Sequence, residues 1–159
     1  MRFFTVTQCE EWRAGRQRGK AEATQRIQYP TEFYRIRFLA HWIATSITYQ
    51  QTALLWITEL HIWPSSENWH LYYKLRQSYG DLQLLEEAPG HLFLPHEAED
   101  LASFLQIAML NGWGGYVLTE ANYVHAFFSH DEFVDFSAEH DANLDEVRKA
   151  WCKGAPGAK

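Results

Sequence analysis

Glu59 and His61 stand two residues apart in a run that alternates like a β-strand, so a carboxylate and an imidazole share one face, close enough to exchange a proton. His70 follows nine residues after His61, and the three together have the residue types of a small hydrolase-like acid–base site. No His-Glu-x-x-His spacing accompanies them, so no metal is assigned, and a hydrogen-bonded polar patch at a strand end remains the competing explanation. A second group, His125, His130, Asp131 and Asp135, falls on an expected hairpin. His125 and His130 differ by an odd number, which points them to opposite faces unless the turn re-aims His130. Asp131 and Glu132 are also ordinary turn residues. His91 and His96 share the parity problem.

Other chemistries find less support. Cys9 lies near a helix start that could lower its pKa, yet no pattern pairs it with a base. Gly112-Trp113-Gly114-Gly115 is glycine-rich, but it follows a helix and precedes a strand, the reverse of a phosphate-binding loop, and no Gly-Lys-Ser or Gly-Lys-Thr follows. No cofactor is implied.

The elements that must position these residues read as follows. Residues 3–6 suggest a short strand, and Thr7 to Glu10 has the spacing of a capping box for a helix over about 8–18. Tyr34, Ile36 and Phe38 alternate with Arg35 and Arg37, which predicts a half-exposed strand to about Phe38 and a helix over 39–48. Residues 53–63, apolar on nearly both faces, belong at the centre of a sheet, and Pro64 ends that strand before a helix beginning at Ser65 and stopped by Gly80. A short strand is expected at 91–94, a helix over 95–110 with Leu101, Phe104, Leu105 and Ala108 buried, then strands at 115–119, 123–128 and 133–136, and a last helix over 143–151. The sum is an α+β (mixed α/β) fold, one domain over 1–153 with a mixed sheet of about five or six strands packed with helices, and a loose tail at 154–159.

At 159 residues and 47% hydrophobic the chain supports one proper core. No eighteen-residue apolar run and no signal-peptide pattern appears, and the two cysteines, Cys9 and Cys152, make no disulfide framework, which together predict a cytoplasmic protein. Aromatic content of 16%, including seven Trp, disfavours disorder and can leave some rings for a partner. Charge is uneven. Residues 1–40 carry eight basic and four acidic groups, whereas residues 41–159 carry six basic and sixteen acidic, and residues 81–146 hold fourteen Asp and Glu with no Lys or Arg. Such a span would repel nucleic acid, leaving only the N-terminal basic part for phosphates.

Four runs, Leu54-Leu55-Trp56-Ile57, residues 62–70 (Ile-Trp-Pro-Ser-Ser-Glu-Asn-Trp-His), residues 88–94 (Ala-Pro-Gly-His-Leu-Phe-Leu) and residues 127–132 (Phe-Phe-Ser-His-Asp-Glu), together resemble a bacterial domain family of unknown function. The resemblance spans about residues 1–137. It implies a bacterial cytoplasmic domain and transfers no catalytic residue.

The functional expectation is a non-catalytic binding protein whose acidic, aromatic surface docks on a basic protein partner, as an inhibitor or immunity-type protein does, with Trp113, Tyr116, His130, Asp131, Glu132 and Asp135 as contact residues. The alternative is a small hydrolase-like enzyme using Glu59 and His61, with His70 as a third ligand if a metal takes part.

Overall fold

The computed structural model describes residues 1–16, 23–30, 32–48, 50–60, 69–121 and 124–154. Seven strands form one sheet: β1 (Arg2–Phe4), β2 (Ala23–Gln28), β3 (Ala53–Glu59), β4 (Gly90–Phe93), β5 (Gly114–Thr119), β6 (Val124–Ser129) and β7 (Phe133–Ala138). Their order is β1-β4-β3-β5-β6-β7-β2. Every pairing is antiparallel, so the α+β class holds while the expected mixed sheet of five or six strands is corrected to seven antiparallel ones. The unforeseen strand is β2, Ala-Thr-Gln-Arg-Ile-Gln at the sheet edge, where Ile27 is its only buried residue and the apolar signal is correspondingly thin.

Among the described residues five α-helices accompany the sheet: α1 (Val6–Ala14), α2 (Phe33–Trp42), α3 (Trp69–Ser78), α4 (Ala98–Leu110) and α5 (Asp141–Gly154). Thr5, rather than Thr7, caps α1: its hydroxyl accepts from the Gln8 amide while the Gln8 side chain accepts from the Thr5 amide. Residues 33–38 are helical, correcting the predicted strand. Ile36, Leu39, Ala40 and Ile43 are buried at helical spacing, whereas Tyr34 and Phe38 face outward, so the 3.6-residue period decides over the alternation. A π-helical turn, Ile43–Ile47, extends α2. The expected start of α3 at Ser65 lies outside the described residues; its end is marked by Gly80 in the left-handed region. α4 follows a 3-10 turn at Pro95–Glu97 and buries Leu101, Phe104, Leu105 and Ala108 as expected.

The main core lies on one face of the sheet, where Leu55, Ile57, Val117, Phe128, Val134 and Phe136 meet the apolar sides of α2, α4 and Leu144 of α5. On the opposite face Cys9 and Trp12 of α1 cover Leu54, Trp56, Leu92 and Leu118, which belong to β3, β4 and β5. No described helix covers β6, β7 and β2 on that side, so half of the second face carries side chains that remain partly exposed.

No described helix is long and apolar enough to cross a membrane.

Candidate functional site

A cross-strand row runs from the part of the second face beneath α1 onto the half that no described helix covers. Trp56 lies opposite Tyr116, Tyr116 opposite Phe127, Phe127 opposite Asp135, and Asp135 opposite Arg26, so one line of side chains crosses β3, β5, β6, β7 and β2. Ring centroids are 6.2 Å apart for Trp56–Tyr116, 5.1 Å for Tyr116–Phe127 and 6.3 Å for Phe127–Phe133, within the range of favourable tilted aromatic pairs. Arg13 of α1 lies 5.2 Å from the Tyr116 ring centre and Arg26 lies 3.6 Å from that of Phe133, both within cation–π range.

At the end of the row a carboxylate and an imidazole meet. Regular alternation would send Glu59 to the main-core face, but the register shifts between Ile57, opposite Gly115, and Glu59, opposite Gly114. Thr58 is the extra residue of this bulge, and it turns Glu59 onto the uncovered face above Gly114. A Cβ on residue 114 would fall inside the Glu59 carboxylate, so glycine is required there to seat it. Held in that place, Glu59 Oε2 accepts a hydrogen bond from His130 Nδ1 at 2.8 Å.

His130 reaches Glu59 because the β6–β7 turn re-aims it. The connection His130-Asp131-Glu132 puts Glu132 in the left-handed region (φ 64°), with the Glu132 amide donating to the Ser129 carbonyl and the Asp131 amide donating to Ser129 Oγ. His130 Nε2 then lies 3.5 Å from Asp131 Oδ1. The hydrogen bond to Glu59 and the negative charges of Asp131 and Glu59 raise the His130 pKa above its ordinary value, outweighing a smaller opposing effect of desolvation.

The two expected clusters are thus rearranged. Glu59 pairs with His130 from the other group, because the bulge at Thr58 turns its carboxylate onto the second face of the sheet. His61 lies outside the described residues, and His70 is exposed on α3. Asp135 is engaged by Arg26 in a two-bond ion pair, 2.7 Å for each contact. His125, on the same face, has its pKa lowered by burial and by Arg13, and shares no hydrogen bond with His130. Trp113 is withdrawn as a contact residue: 3% exposed, it packs edge-on against Tyr72 at 4.9 Å and Trp69 at 5.9 Å inside the main core. Tyr116 is half-buried on the uncovered face, and Asp131 and Glu132 are exposed at the turn. The helix start does not activate Cys9. Burial, reinforced by Glu10, pushes its thiol up to about 12.

The Lys- and Arg-free span also changes meaning in three dimensions. Arg76 pairs with Asp81, Arg26 with Asp135, Arg148 with Asp141 and Asp145, and the amino terminus with Glu97, each cation coming from outside residues 81–146. Asp131 and Glu132 at the β6–β7 turn make no ion pair with Lys or Arg among the described residues, although Arg26 is near enough to feel the Asp131 charge. Charge counted along the chain could not reveal the pairing of Arg26 with Asp135 or of the amino terminus with Glu97, which join distant parts of the sequence.

A second histidine is buried. His91 Nδ1 donates to the Pro89 carbonyl and its Nε2 accepts from the Tyr72 hydroxyl, both at 3.2 Å, the pattern of a neutral imidazole. Burial, reinforced by Arg76, lowers its pKa to about 3. Arg76 itself is fully buried, donates to the Ala88 carbonyl at 3.0 Å and holds Asp81. Among the described residues no group of three His, Cys, Asp or Glu side chains is arranged to hold a metal ion. No protein-family model, curated protein or solved structure matches the chain, so the site is read from its own residues.

Proposed function

We propose that this is a small non-catalytic binding protein that docks on a Lys- or Arg-bearing segment of a protein partner, in the manner of an inhibitor or immunity-type protein. One observation carries the reading: from the edge of the α1-covered cluster that holds Trp56, the rings of Tyr116, Phe127 and Phe133 run onto a half-face that no described helix covers, on the side of the sheet where Glu59 and Asp131 lie. Rings supply contact area at low entropic cost, and the carboxylates supply orientation and encounter rate. The cation–π contacts of the protein's own Arg13 and Arg26 support the fit of guanidinium groups to these rings. A cytoplasmic location fits the buried free thiol of Cys9.

A hexa-arginine peptide is the direct probe. Its affinity is expected to fall by about tenfold or more as salt rises from low to several hundred millimolar, since exposed charges are screened beyond a Debye length, and Asp131→Lys is expected to weaken it further. Flat salt dependence, or preferential binding of hexa-glutamate or oligothymidylate through Arg13, Arg16 and Arg26, would overturn the reading.

A second reading, acid–base hydrolysis, is favoured by the 2.8 Å contact between Glu59 and His130. It requires ester hydrolysis, assayed with p-nitrophenyl acetate, to be lost in both Glu59→Gln and His130→Gln; activity surviving in both variants dismisses it.

A further inference from the structure

We infer that the His130 imidazolium screens the docking carboxylate, so that a partner's Lys or Arg side chain reaches Glu59 in exchange for the His130 Nε2 proton. The inference deepens the docking reading and rests on it. Two backbone features devote Glu59 to His130: the bulge at Thr58 brings the carboxylate onto the uncovered face, and the missing side chain of Gly114 gives it the space beside the turn. The groups facing the imidazole among the described residues are Glu59 from β3, at 2.8 Å from Nδ1, and Asp131 from the β6–β7 turn, at 3.5 Å from Nε2. Both are negative, and both favour the protonated ring.

A partner ammonium or guanidinium docking beside Glu59 and Asp131 places a like charge within a few ångströms of that ring. The ring then loses its proton from Nε2 to solvent and keeps the Nδ1 proton bonded to Glu59. The balance is protonated protein plus cationic partner giving complex plus one proton, which the buffer takes up. By linkage, whatever displaces the proton must bind better when the proton is already absent, so affinity for a basic partner rises as pH rises through the elevated His130 pKa. The proton also blunts the site toward cations in acid, leaving Asp131 and Glu132 to act alone.

The experiment is calorimetric titration of the full chain with hexa-arginine near neutral pH, in phosphate and in Tris, whose ionisation enthalpies differ. Release of a fraction of a proton, up to about one, is expected, together with affinity that increases with pH. In His130→Gln the release and the pH slope both disappear. In the free protein, the NMR titration of His130 is expected to shift down toward the ordinary value of about 6.5 in Gly114→Ala, because Glu59 loses its place. Should Gly114→Ala fold poorly, Glu59→Gln gives the same readout. Binding without proton release overturns the exchange while leaving the docking reading intact. Absence of hexa-arginine binding overturns both, and a His130 titration indifferent to Gly114→Ala and to Glu59→Gln overturns the geometry on which the exchange depends.

Discussion

Two histidines hydrogen-bonded within polar groups of the same sheet have opposite fates. His91 is sealed between Tyr72, Phe3 and Phe104, where burial makes the imidazolium untenable and the ring is used as a neutral hydrogen-bond relay. His130 sits at the rim of an uncovered face with two carboxylates, which make the imidazolium the preferred form. Position in the fold, rather than residue type, decides which network supports the core and which is available to a ligand. Arg76 and Asp81 repeat the lesson, since their charges are buried together and neither is accessible to a partner.

Breaking the buried network should have the largest effect. Arg76→Met leaves Asp81 as an unpaired buried charge, and denaturant unfolding is expected to show a loss of about 3–5 kcal/mol; a loss below about 1 kcal/mol would show that water compensates Asp81. Acid acts next. The folded His91 pKa of about 3 lies below the unfolded value, so the unfolded chain takes up the proton first. Its contribution to stability is fully present above about pH 6.5 and declines as pH falls toward 3, by an amount on the order of a few kcal/mol. His91→Gln is expected to flatten that part of the stability profile, and an unchanged slope would contradict the buried neutral ring. The His130 network is expected to matter least to folding. Its raised pKa adds stability below the unfolded value, lost as pH rises through the folded one, but the pair is partly solvated. His130→Gln should therefore leave the denaturation midpoint unmoved within error at neutral pH, and a clear shift would assign the pair to the core instead.

The parts of this molecule with strong periodicity were legible in its sequence. α4 announces its buried side through Leu101, Phe104, Leu105 and Ala108, and the central strand β3 through its doubly apolar run. Two other regions hid. Tyr34 to Phe38 imitates a strand because outward aromatic side chains happen to alternate with arginines, and edge strand β2 buries too little to stand out. The candidate site was half legible. Glu59, His130 and Asp131 were recognisable as chemical residues, but their juxtaposition depends on a single inserted residue, Thr58, and on a missing side chain at Gly114. Neither feature leaves a periodic trace. The same limit applies to charge: Arg26 and Arg76 neutralise carboxylates of the Lys- and Arg-free span only after folding brings them together.

A basic partner is proposed to bind the half-face beside Glu59 and His130, which no described helix covers. Amide and aromatic NMR mapping of the full chain with hexa-arginine tests it most directly. The account predicts shifts gathered at Tyr116, Phe127, His130 and Asp131, and shifts gathered instead at the α2–α4 cleft around Arg37, His41 and Glu99 would contradict it.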